Sequence, residues 1–265
     1  MTALVLDPPR RAPLGHIVGD TLAVAQRNLL ALIRTPTTVM FSTVQPIIFV
    51  LMFRYVFGGA IHAPGLPYVD YLMPGIFVQT VTFGAMNTGV GLATDLQTGL
   101  IERFRSLPMA RSAVLGGRVL ADMVRNVGVI ALMVAMGFIV GFRLHTNVLA
   151  LAGAVVLLLL FGLAMSWVVA LIGLRTGNAE AAQAATFPLM AVLVFASSAF
   201  VPTKTMPGWL RAYANHQPVS ATINAVRALV DGGVTLERVV VALAWIAGIT
   251  VVFSYLATRR YRRTA

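Results

Sequence analysis

The run LAGAVVLLLLFGLAMSWVVALIGL, residues 151–174, contains no charged side chain. A helix needs about 20 such residues to cross the hydrocarbon of a bilayer. Five further apolar segments, 39–57, 71–93, 126–142, 181–201 and 239–257, accompany it. Only 11% of the 265 residues are charged and 58% are hydrophobic, against about 25% charged in an ordinary soluble domain. A soluble fold of this composition would expose large apolar patches and aggregate. The expected fold is therefore an all-α integral membrane protein. It has six transmembrane helices, an N-terminal interfacial amphipathic helix, and short outer-leaflet helices between spans five and six.

The net charge of +11 does not point to nucleic acid. The arginines stand in short clusters between apolar runs, where they set topology, and no single basic stripe is formed. Six spans put both termini on one side. With the termini cytoplasmic, every basic residue faces inward except Arg54, Arg143, Lys204, Arg211, Arg227 and Arg238. This asymmetry predicts cytoplasmic ends. The first 35 residues lack an apolar core followed by a cleavage site, so no cleaved signal is expected. The whole chain, 1–265, is read as one transmembrane domain.

Three stretches lie outside the spans. Residues 20–34 place Leu22, Ala25, Leu29 and Ile33 at helical spacing behind a candidate cap, Asp20. A flat helix at the inner interface is expected, broken from the first span at Pro36. Residues 202–235 are too polar to span. A short helix over 221–230, stopped by Gly232 and Gly233, is expected there, with Trp209 and Tyr213 at the water–lipid boundary.

The third stretch, GLIERFRSLPMAR (99–111), breaks the apolar pattern most sharply. Thr94 and Gln97 fit a capping box, although the second span can equally run on through them. From 95 to 107, Leu96, Leu100, Phe104 and Leu107 form one stripe, and Glu102, Arg103, Arg105 and Ser106 point elsewhere. Glu102 and Arg105 stand three apart, as surface pairs do, and Pro108 ends the helix. Such a helix can lie on a membrane or dock in a partner's groove.

This stretch resembles the signature of ABC type-2 exporter permeases, in particular their daunorubicin-resistance branch. DYLMPGIFVQT resembles the start of the family's second span, and MPGWLRAYANHQPVSATINAVRAL its outer segment. One departure is Gln217, where the family commonly has asparagine before the proline. The resemblance implies a permease of the bacterial cytoplasmic membrane that pairs with a second, like or related, permease and two soluble ATPase subunits. In that arrangement 95–107 is the coupling helix. Leu100, Phe104 and Leu107 would fill a groove on the ATPase, Glu102, Arg103 and Arg105 would meet its rim charges, and Pro108 would set the turn toward the third span. The implied cargo is a hydrophobic drug or antibiotic, with a lipid, glycolipid or polysaccharide as the alternative.

No GxxxxGK[ST] occurs, so ATP and magnesium are expected only in the partner. HExxH and GxSxG are also absent, and the four histidines are scattered. No cofactor or metal is expected in this chain. A membrane-embedded enzyme would cluster His, Asp or Glu, and a secondary transporter would show inverted repeats or buried ionisable groups. Neither pattern is present.

Charges near the spans are few. Arg54 is expected to snorkel, and Asp122 is expected to pair with Arg125 in a polar turn before the third span. The milder polar residues Gln45, Gln79, Thr80, Thr82, Asn87, Thr88, Ser197 and Ser198 suit interhelical hydrogen bonds. Among these, Gln45, Gln79, Asn87 and Ser197, together with Phe49, Phe53 and Phe83, are the candidate transport path.

Overall fold

The computed structural model describes residues 14–34, 36–59, 61, 67–100, 111–233 and 235–264. The described secondary structure is helical throughout. In order it comprises α1 (Leu14–Arg34), α2 (Pro36–Leu51), α3 (Tyr68–Gly84), α4 (Met86–Gln97), α5 (Arg111–Val140), α6 (Val148–Thr176), α7 (Ala179–Phe195), α8 (Gly208–His216), α9 (Pro218–Asp231) and α10 (Thr235–Thr264). Among the described residues, four continuous stretches are long and apolar enough to cross a membrane: Tyr68–Gln97, Leu115–Val140, Val148–Thr176 and Thr235–Tyr261. Two shorter apolar helices, Thr43–Val56 and Ala179–Phe195, correspond to the first and fifth expected spans.

Helix α6 is the centre of the bundle. It is apolar around its whole circumference, as a helix enclosed by others must be, and it packs against α3, α4, α5, α7, α9 and α10. Its ends follow from local chemistry. Asn147 caps the start, its Oδ1 accepting from the Ala150 amide at 2.8 Å. Gly177, at φ +63°, ends it in the left-handed region that favours glycine. The next residue, Asn178, then caps α7 by accepting from the Glu180 and Ala181 amides. Two residues thus reverse the chain between two long helices.

Several elements differ from the sequence-based expectation. Helix α1 begins at Leu14, so Asp20 lies within it and does not cap it. Its buried face carries Val24 and Ala25, while Leu22 is exposed. The cause is α5, whose Gly117 presents bare backbone to Thr21 and Val24. The polar turn expected before the third span is absent, because α5 runs unbroken from Arg111 and holds Asp122 and Arg125 inside the helix. The expected fifth span loses its last turn, since α7 ends at Phe195. The first ends in a π-helical turn over Met52–Val56, where the Arg54 guanidinium lies 5.8 Å from the Tyr55 ring centroid. Gly141, at φ +102°, terminates α5.

The 202–235 stretch contains two helices of different character. Helix α8 is largely exposed, with Trp209 uncovered. Helix α9 is inserted among α3, α6 and α10, with Val219, Ile223, Val226 and Val230 fully buried. Gln217 stands before Pro218 and joins this insert to α7. Its Nε2 donates to the Leu193 carbonyl at 2.8 Å and to the Ala196 carbonyl at 3.1 Å, satisfying acceptors that a helix end leaves open.

The second long stretch runs through the expected capping box. Thr94 is helical and its hydroxyl donates to the Val90 carbonyl at 2.9 Å. Helix α4 ends at Gln97, and Gly99 adopts φ +68°. Leu96 and Leu100 therefore do not share one continuous helix, because the left-handed turn lies between them. The remaining residues of the expected coupling helix, Glu102, Arg103, Phe104, Arg105, Leu107 and Pro108, fall outside the described residues.

Candidate functional site

A cavity of about 470 Å³ opens among α2, α3, α4, α5 and α7, a volume suited to one drug-sized molecule. It borders a fault in the second long stretch. Helix α3 stops at Gly84 and α4 restarts at Met86, with Ala85 between them. Pro46, in the middle of α2, lies opposite and cannot donate a backbone bond of its own.

The lining is amphipathic. Phe83 and Phe187 form an aromatic wall, ring centroids 6.1 Å apart and tilted by 40°. Carboxamides come from five helices: Gln45 from α2, Gln79 from α3, Asn87 from α4, Asn126 from α5 and Gln183 from α7. Gln79 is 3% exposed, and its Oε1 has no hydrogen-bond partner among the described residues. A buried acceptor left open costs about 1–3 kcal/mol. Thr80 is already committed, its hydroxyl donating to the Ile76 carbonyl at 2.7 Å.

Among the described residues one cation, Arg125, reaches the cavity. It is held in place on three sides. Its Nη1 lies 3.4 Å from Asp122 Oδ1, and its Nη2 donates to the Gly84 carbonyl at 2.7 Å and to Asn126 Oδ1 at 3.2 Å. The pair with Asp122 leaves the local charge balanced. The arrangement can therefore bind an amphipathic molecule by ring contact and hydrogen bonds. It offers no nucleophile poised against a base, which acyl or phosphoryl chemistry would need.

The structure brings Gln45, Gln79, Phe83 and Asn87 together in this cavity. Phe49 and Phe53 lie elsewhere, in a stack with Phe195 and Phe200 that includes a 4.3 Å Phe53–Phe200 contact. Ser197 is buried in the turn after α7, its hydroxyl donating to the Val194 carbonyl at 2.5 Å. Sequence reasoning missed Asn126, Gln183 and Phe187. The available signal was a carboxamide inside an apolar helix, at position 126 and again at 183.

Two charged clusters mark the ends of the bundle. At the α4 terminus, Asp95 Oδ2 accepts from Arg118 Nη1 at 2.7 Å and lies 3.7 Å from Arg27 Nη2, tying α1, α4 and α5 together. At the opposite end, Asp70 Oδ1 accepts from the Arg143 amide at 3.0 Å, and His145 stands 3.9 Å from Asp70 and 3.7 Å from Asp231. Burial pushes the Asp231 carboxyl up to about 6, with Asp70 adding to the shift and Arg227 and His145 opposing it. Among the described residues no group of three or more His, Cys, Asp or Glu side chains is placed to hold a metal.

Known proteins share this chain's sequence over most of its length. It is 34% identical over 258 residues, 97% of this chain and 91% of the relative, to the daunorubicin resistance ABC transporter permease protein DrrB1 of Streptomyces coeruleorubidus. It is 29% identical, over 94% of this chain and 90% of the relative, to the probable doxorubicin resistance ABC transporter permease protein DrrC of Mycobacterium tuberculosis. The putative transport permease ycf38 of Porphyra purpurea is 27% identical over 80% of this chain and 74% of its own length. Residues 20–230 match the ABC-2 type transporter family. A helical bundle with membrane-length spans, an amphipathic cavity and this match agree, and the chain belongs to the ABC-2 type transporter family.

Proposed function

We propose that this chain is the membrane permease subunit of an ATP-driven exporter, and that its cargo is a hydrophobic drug or antibiotic of moderate size. The observation that carries the reading is the amphipathic cavity, with the Phe83–Phe187 wall on one side and carboxamides on the other. Such a lining suits a flat aromatic body with hydroxyl or amine substituents. Relatives named for daunorubicin and doxorubicin resistance support the same cargo class. A lipid, glycolipid or polysaccharide is the alternative within the mechanism.

In this reading the chain makes six crossings, with α2 and α7 as the short first and fifth, and both termini face the cytoplasm of a bacterium. It works with a second permease, like or related, and two ATPase subunits that bind ATP and magnesium. Closure of the ATPases pushes on the 95–107 stretch, where Leu100, Phe104 and Leu107 seat in the partner, Glu102, Arg103 and Arg105 meet its rim, and Pro108 just beyond it sets the exit angle. The push travels along α4 to the cavity.

Co-purification tests the ATPase partnership. A tagged chain that brings down a soluble ATPase stoichiometrically supports the reading, and drug export from vesicles that hold no ATPase sinks it. Phe104→Ala then tests the coupling. The variant should insert and assemble while ATP hydrolysis and export separate. Unchanged export would remove Phe104 from that role.

A further inference from the structure

The break between α3 and α4 is bridged by one ion pair. In an unbroken helix the Thr88 amide would bond to the Gly84 carbonyl. Here it bonds to the Ala85 carbonyl at 3.0 Å. The released Gly84 carbonyl is taken by Arg125 Nη2 at 2.7 Å. Asp122 holds Arg125 from the other side at 3.4 Å and also accepts the hydroxyl of Thr88, the first full turn beyond the break. The Asp122–Arg125 pair thus grips one residue on each side of the fault. Both side chains are mostly buried, at 13% and 7% exposure.

The two halves joined there lead to different places. Helix α3 runs toward the Asp70 end and supplies Gln79, Thr80 and Phe83 to the cavity. Helix α4 runs the other way, adds Met86 and Asn87, and ends beside the Asp95–Arg118 pair. Two residues beyond its end, Gly99 turns the chain into the 101–110 stretch. Asn87 joins the ends directly, because its side chain faces the cavity while its carbonyl accepts from Arg118 Nη2 at 3.4 Å. A change in the angle at Ala85 therefore moves the cavity wall and the α4 terminus together.

Resting on the export reading above, we propose that Asp122 is a positioning residue. Through Arg125 and Thr88 it sets the α3–α4 angle, so that movement of the α4 end reshapes the cavity. Thr88 is outside the cavity lining and bonds to Asp122 rather than to Arg125, so its substitution separates transmission from cargo binding.

The test uses the permease with the ATPase that it brings down, in proteoliposomes. The natural chain has no cysteine, so Thr94→Cys on α4 and Leu236→Cys at the start of α10 carry the only spin labels. Both positions are exposed. The label distance is read with and without ATP plus vanadate, beside daunorubicin affinity and ATP-driven daunorubicin export. In the parent the distance shifts with nucleotide. Thr88→Val should keep daunorubicin affinity within about twofold, lose the shift, and lower export about tenfold, in the range of ordinary coupling effects; Asp122→Asn should lose the shift and export as well. Thr88→Ser, which keeps the hydroxyl, should restore both shift and export. Variants that shift and export like the parent overturn the inference. So does a Thr88→Val variant that loses drug affinity in step with export, since the bond would then only support packing. A parent complex that moves no drug with ATP overturns the export reading itself, and this inference with it.

Discussion

Gly173 of α6 lies against the backbone carbonyl of Gly89 on α4, so close that a methyl group added at Gly173 would overlap it. A methyl at Gly89 would in turn stand 2.5 Å from the Val169 carbonyl oxygen. The two helices cross backbone to backbone, where small residues replace hydrophobic driving force as the basis of association in lipid. Gly173→Ala should therefore destabilise the chain by about 1–3 kcal/mol through overpacking. The control is Gly128→Ala on α5, where nothing lies within 4 Å and helix propensity favours alanine by up to about 1 kcal/mol. Thermal unfolding in detergent reads both, and equal melting temperatures for the two variants would contradict the close crossing.

Gln217 gives a second test. Its side-chain amide holds the Leu193 and Ala196 carbonyls at the end of α7, and its backbone immediately precedes α9. Gln217→Leu leaves those acceptors buried and open, at a cost of about 1–3 kcal/mol. Amide exchange should rise over residues 193–197 before it rises in α6. Uniform exchange along both helices would show that the cap does not hold this junction.

The cavity predicts a division among phenylalanines. Phe187→Ala removes half of the aromatic wall and should weaken daunorubicin binding about tenfold, the equivalent of ~1.4 kcal/mol. Phe138→Ala, whose ring packs near Phe142 outside the cavity, should leave affinity unchanged. Fluorescence titration of daunorubicin on the purified chain distinguishes them, and equal losses would place the binding site elsewhere.

The Asp231 carboxyl predicts an acid-side gain in stability. Its folded value, about 6, lies above the ordinary 3.8. The protonated form is therefore favoured by folding. That contribution is complete below about pH 4 and is lost as pH rises through 6. Asp70 from α3, His145 from the α5–α6 connection, and Arg227 on α9 itself all act on this group. Asp231→Asn should flatten the melting temperature between pH 4 and 7 and be at least as stable as the parent at pH 7.5. A pH profile identical to the parent's would assign the titration to another group.

Much of the architecture was legible before any coordinates. Continuous apolar stretches such as 151–174 can be satisfied only by helices that bury every backbone group in lipid or protein. The pairing of Asp122 with Arg125 was legible as well, since three residues of helix bring them together. The extent of the cavity was not. Gln45, Gln79, Phe83 and Asn87 could be singled out as polar or aromatic residues in spans, but so could Phe49, Phe53 and Ser197, which the fold sends to an aromatic stack and a buried turn.

Those outcomes depend on partners remote in the chain. Phe187 reaches Phe83 and Arg125 reaches Gly84 only because α5 and α7 pack against the α3–α4 stretch. The break at Ala85 likewise has no proline beside it to announce it, and its freed carbonyl is satisfied by a guanidinium from another helix. Local propensity and periodicity therefore specify which segments become helices. Where one helix breaks, and which side chains then face a common space, is set by long-range packing and by hydrogen bonds between segments, which no single stretch of sequence encodes.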